Sequence, residues 1–113
     1  MTNSNVLVVG GGGREHALCM ALATSSQVES VHCAPGNAGT SELATNHPVA
    51  ASDVSALVDL ATSLDASLVV VGPEAPLCDA LADRLAASGI PCFGPVQALA
   101  ELELSLIHIW RSR

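Results

Sequence analysis

"LVVGGGGREHAL", residues 7–18, sets four consecutive glycines between an apolar run and Arg14-Glu15-His16. Glycine loses more backbone freedom on folding than any other residue, so four together need a physical return. The run before them, "NVLVV" (5–9), stops at glycine and is expected to be a buried strand. After them Ala17, Leu18, Ala21 and Leu22 recur at helical spacing, which predicts a helix from Arg14 to about Thr24. A strand, a glycine turn and a helix in immediate succession open a βαβ unit.

The rest of the chain repeats that alternation. "VESVHCA" (28–34) alternates and ends at Pro35-Gly36, a second strand and a turn. Residues 36–50, "GNAGTSELATNHPVA", are rich in turn formers and read as loop with a short strand near Val49. Ser52 or Asp53 can cap a helix through about Leu64, with Val54, Leu57, Val58 and Ala61 on one face. "SLVVVG" (67–72) is a fully apolar strand. Pro76 suits the first turn of a helix to about Ser88, and Gly89 suits the position after its end. "IPCFG" (90–94) is a last short strand, and "PVQALAELE" (95–103) starts a further helix. Strands alternating with helices indicate right-handed crossovers and a parallel sheet, and near-continuous apolar strands indicate burial on both faces. The expected fold is α/β, an open doubly wound parallel sheet.

Composition narrows the function. The 113 residues suit one domain of ordinary core size, half of them hydrophobic but with only Phe93 and Trp110 aromatic. The formal charge is −7, with no lysine and arginines only at 14, 84, 111 and 113. That balance argues against non-specific nucleic-acid binding, which needs clustered cations. It leaves room for a small anion, because backbone N–H groups bind phosphate without a cation. Cys19, Cys33, Cys78 and Cys92 form no CxxC pair and read as small buried hydrophobes in a reducing compartment. The N-terminus has no basic region followed by an apolar one, and no apolar run reaches the roughly 20 residues of a membrane span. The expectation is a soluble, cytoplasmic protein.

Ligands of open parallel sheets bind at the carboxyl ends of the strands, where helix N-termini present their N–H groups. A glycine-rich turn there lets the backbone come into contact with a phosphate, and the helix dipole adds about half a positive charge. A tight turn without a ligand would need one or two glycines. A dinucleotide fingerprint, G-x-G-x-x-G, could use Gly10 and Gly12, but its third glycine falls on Glu15 and no acid ends the second strand. A Walker A loop is excluded because no Gly-Lys-Ser/Thr follows.

Two further loops should emerge at the same sheet edge: "APGNAGT" (34–40) and "VGPEAPL" (71–77). Glu74, between two prolines, is either a carboxylate aimed at sugar hydroxyls or a helix N-terminal acid. Arg14 could pair with phosphate. His16 is a proton-transfer group or, more ordinarily, a packed or capping residue. His32 and His47 show no metal-ligand spacing, and no nucleophile–base–acid set assembles from the sequence.

"VLVVGGGGREHAL", "APGNAGT", "VVVGPEAPL" and "GIPCFGP", in this order and spacing, resemble the N-terminal domain of the phosphoribosylamine–glycine ligase family, within the ATP-grasp superfamily. The resemblance covers residues 5 to about 103 and implies a Rossmann-like domain preceding the ATP-grasp core. It implies a part in de novo purine biosynthesis: ATP phosphorylates the glycine carboxylate, and the amine of 5-phosphoribosylamine attacks the acyl phosphate to give glycinamide ribonucleotide. It places the substrate phosphate at Gly10, Gly11, Gly12 and Gly13 with Arg14 and Glu15 beside it, Asn37, Gly39 and Thr40 in the facing loop, and Glu74 near the ribose. ATP and Mg2+ would bind on parts of the ligase outside these residues, so this chain would not catalyse the ligation by itself. Two alternatives stand beside it, a non-catalytic phosphate-ligand or nucleotide-binding module of another ATP-grasp enzyme and a dinucleotide-dependent oxidoreductase domain.

The chain divides into an N-terminal domain at 1–103 and an atypical tail at 104–113. The family continues past "ELE" with a lysine-containing helix, whereas "LSLIHIWRSR" carries the only Trp and two of the four arginines. CTG TCT CTT ATA CAC ATC encodes "LSLIHI" and looks like transposon-adapter sequence, so the tail is expected to be foreign to the coding sequence.

Overall fold

In the computed structural model, residues 5–24, 28–71 and 78–94 are described. The expected helix over 95–103, the tail at 104–113, Glu74 and the Pro76 helix start lie outside them. Among the described residues five strands form one sheet: β1 (Asn5–Gly10), β2 (Ser30–Pro35), β3 (Thr45–Asn46), β4 (Leu68–Val71) and β5 (Cys92–Phe93). Their order is β3-β2-β1-β4-β5, and every pairing is parallel. Among the described residues three α-helices alternate with them: α1 (Gly13–Ala23), α2 (Val54–Ser63) and α3 (Cys78–Ala87). The expected open α/β sheet is present.

Side-chain alternation along the strands builds two cores. Val6 and Val8 of β1, Val31 and Cys33 of β2, and Leu68 and Val70 of β4 pack with Leu18, Cys19 and Leu22 of α1. Their neighbours Leu7, Val9, Ala34, Val69 and Val71 face the other way, onto Leu57, Val58 and Ala61 of α2 and Leu81 and Leu85 of α3. Successive strand residues point to opposite faces, so an all-apolar strand feeds both layers at once. This is double winding.

The helix ends follow from local chemistry. Asp53 caps α2, its Oδ1 accepting the Ala56 N–H at 3.2 Å. Beyond Leu64 the chain closes with Ala66 N–H donating to Ala61 O at 3.0 Å, with Asp65 in the left-handed region at φ 53°. Gly89, at φ 78°, follows α3 and donates to Ala86 O. The short strand expected near Val49 instead lies at Thr45–Asn46, in register with His32 and Cys33. Pairing with β2 selects those two residues; their own propensities do not.

In this strand order the chain reverses direction of growth between β1 and β4, which are adjacent and parallel. Open α/β sheets receive ligands beyond the carboxyl ends of two such strands. The four glycines sit there.

Candidate functional site

The turn Gly10–Gly13 leaves β1 and enters α1 at its N-terminus. The four glycines have different duties. Gly10 adopts φ 137°, and a Cβ on it would stand 2.7 Å from Glu15 Cγ and Cδ. A Cβ on Gly11 would stand 2.9 Å from Gly36 O, so two backbones touch there. Gly13 has nothing within 4 Å of where its Cβ would be. Gly10 and Gly11 thus make room for the protein itself, and Gly13 opens onto space above the helix.

Glu15 is one of two buried polar or charged residues among those described, at 2% exposure, and its Oε1 accepts the Gly12 N–H at 2.6 Å. It is the third helical residue and reaches back to the residue before the helix, as the acidic half of a capping box does. The turn is braced from the other side by the loop after β2. Gly36 N–H donates to Gly10 O at 3.1 Å, and the Asn37 Nδ2 donates to Gly11 O and Gly12 O at 2.8 and 3.2 Å. Asn37 and Thr40 cap each other: the Asn37 N–H donates to Thr40 Oγ1 at 2.7 Å and the Thr40 N–H to Asn37 Oδ1 at 2.9 Å. Asn46 at the end of β3 completes the network, with Thr40 Oγ1 2.8 Å from its Oδ1 and its Nδ2 donating to Asn37 O at 2.8 Å. Thr40 is fully buried. Sequence reasoning missed Asn46, because its neighbourhood reads as loop and only pairing with β2 brings it beneath Thr40.

Beneath the turn, Cys33 Sγ donates to Gly10 O at 3.4 Å. The Cys19 thiol hydrogen-bonds Cys33 and is buried, which pushes its pKa far above the ordinary thiol range. Cys19, Cys33 and Cys92 form no disulfide; the first two are fully buried and Cys92 is half-buried.

Of the residues expected at the site, Gly10–Gly13, Arg14, Glu15, Asn37, Gly39 and Thr40 lie in or directly against the two loops at the carboxyl ends of β1 and β2. Arg14 is exposed at the second position of α1. His16 is half-buried, and a Cβ on Gly39 would stand 3.2 Å from both its Cδ2 and its Cε1. Away from this site, His32 Nδ1 lies 2.9 Å from His47 Nε2, and His32 Nε2 lies 3.2 Å from Ser30 Oγ. The sequence spacing concealed that pair, since β2–β3 register creates it.

The arrangement offers an anion three things: a helix N-terminus whose first N–H groups lack intrahelical acceptors, a rigid turn and an open approach at Gly13. No helix among the described residues is long and apolar enough to cross a membrane.

Comparison with known proteins bears on the family of the chain. The model of the family described as "Phosphoribosylglycinamide synthetase, N domain" matches residues 4–103. A phosphoribosylamine–glycine ligase of Streptomyces coelicolor is 55% identical over 98 residues, covering 87% of this chain and 24% of its own. One from Allochromatium vinosum is 51% identical over 100 residues, covering 87% and 23%. One from Rhodopirellula baltica is 47% identical over 107 residues, covering 95% and 24%. The chain spans about a quarter of the length of these relatives.

Proposed function

We propose, from the premise that this chain belongs to the phosphoribosylglycinamide synthetase N-domain family, that it binds the amine substrate of a longer ATP-grasp ligase. That ligase joins 5-phosphoribosylamine to glycine in the cytoplasm, in purine biosynthesis. Here the share of these residues is to take the phosphoryl end of the sugar. The observation that carries this reading is the Gly13 opening above the α1 N-terminus, in a turn held rigid by Glu15 and Asn37. Rigidity matters because a phosphate site built from main-chain amides works when the amides already point at one place.

In this proposal the N–H groups of the first turn of α1 contact the phosphoryl oxygens, and Arg14 adds a cation at the mouth. Glu15, Asn37, Gly39 and Thr40 hold the loops in the shape that receives the ligand, and Glu74 remains assigned to the ribose hydroxyls. ATP and magnesium belong to other parts of the ligase. The described residues bring together no three His, Cys, Asp or Glu able to hold a metal ion.

Calorimetric titration of the chain with glycinamide ribonucleotide, NAD and ATP tests the proposal. Heat of binding with the ribonucleotide and none with the other two is the expected result. Binding of NAD, or none of the ribonucleotide, overturns it.

A further inference from the structure

The geometry points to His16 as the side chain that grips the ligand's phosphoryl group beside the α1 N-terminus; this rests on the sugar-phosphate reading above. It follows from which polar side chains the two loops have already used. Glu15 is engaged with Gly12, Asn37 with Gly11, Gly12 and Thr40, Thr40 with Asn37 and Asn46, and Ser41 with Ala38 O. Among the described residues nothing hydrogen-bonds the His16 ring. Among the described residues every buried side-chain nitrogen or oxygen has a partner, so the ring nitrogens of His16, which have none, are open to solvent.

The ring is nonetheless held. The space where a Gly39 Cβ would stand is 3.2 Å from Cδ2 and from Cε1, the two carbons flanking Nε2, with no ring nitrogen nearer. Gly39 therefore meets the ring face, and the nitrogens lie at the free edge. Helical side chains lean toward the helix N-terminus, so a residue at this position covers the turn that Gly13 begins. This half-buried imidazole lies with one face against Gly39 of the 36–40 loop, and the lean of its side chain toward the helix N-terminus leaves its edge available to that same turn. An imidazole N–H donating to a phosphoryl oxygen there adds a directed side-chain donor to the backbone amides and to Arg14.

The test titrates ribose 5-phosphate and glycinamide ribonucleotide, which share the phosphoryl group, into the chain and four variants. His16→Phe keeps the ring face against Gly39 and removes the nitrogens; His16→Ala removes both. Each is expected to weaken both ligands by roughly tenfold or more, the range of one hydrogen bond to a charged group. His16→Gln restores a donor and should stay within about threefold of the parent, on the same scale. Gly13→Val blocks the turn itself and should abolish binding.

Parent-like affinity in His16→Phe and His16→Ala, with Gly13→Val silent, overturns the His16 inference and leaves the sugar-phosphate reading standing. Failure of the parent chain to bind either ligand, or full binding by Gly13→Val, overturns both.

Discussion

The Glu15 carboxylate accepts the Gly12 N–H at 2.6 Å and fills the space that a side chain on Gly10 would need. One residue thereby closes the turn, engages the Gly12 amide, and makes glycine obligatory three positions before the helix. Removing the carboxylate leaves a part-buried N–H without its charged acceptor. Glu15→Ala should lower the unfolding free energy by about 2–3 kcal/mol and Glu15→Gln by about 1 kcal/mol, since a neutral acceptor is weaker but present. Urea denaturation monitored by circular dichroism measures both; equal effects would mean that the charge is immaterial.

The unequal duties of the glycines can be read as stability. Gly10→Ala meets a positive φ and the Glu15 side chain, and should cost about 2 kcal/mol or more. Gly13→Ala meets no atom within 4 Å and should be neutral or stabilising by up to about 1 kcal/mol. A Gly13→Ala protein as unstable as Gly10→Ala would contradict the division proposed between structural and ligand-facing positions.

Asn37 ties the two loops together through its amide. Asn37→Asp keeps the acceptor for the Thr40 N–H but sets a carboxylate oxygen against the carbonyls of Gly11 and Gly12. It should therefore destabilise more than Asn37→Ala, by about 1 kcal/mol or more, because it adds repulsion to a lost donor. Faster hydrogen exchange at Gly36 and Asn37, whose amides bond Gly10 O and Thr40 Oγ1, should accompany either change.

Stability should depend on pH through His32. Burial, and next the neighbouring His47, hold its pKa below the ordinary 6.5. The unfolded chain therefore takes up a proton near 6.5 while the folded chain resists it. More protons are bound unfolded in that window, so stability falls as pH drops below 6.5 and levels off below the lowered folded value. His32→Gln should flatten this slope in urea midpoints taken on either side of 6.5.

Cys19 and Cys33 should resist alkylation in the native protein and label only in denaturant. Both are fully buried, and the Cys19 thiol is held away from its reactive thiolate by its hydrogen bond to Cys33 and by burial. Peptide mass mapping after maleimide treatment with and without urea decides this.

Sequence by itself determined the architecture, because alternation of apolar runs with helical spacing is a local property. Val6–Val9 and Leu68–Val71 are apolar at every position, which only a strand covered on both faces tolerates, and Asp53 and Gly89 mark helix ends by their own backbone chemistry. It also placed the glycine turn at the sheet's carboxyl edge, since strand–turn–helix order leaves no other position. What tertiary structure decided is the use of each glycine and polar side chain. Gly11 is constrained by a carbonyl 25 residues away, Thr40 by Asn46, and His32 by His47, and each contact exists only because β2 lies between β1 and β3 in register. Local pattern records which face a residue prefers; it carries no account of which distant backbone will arrive beside it.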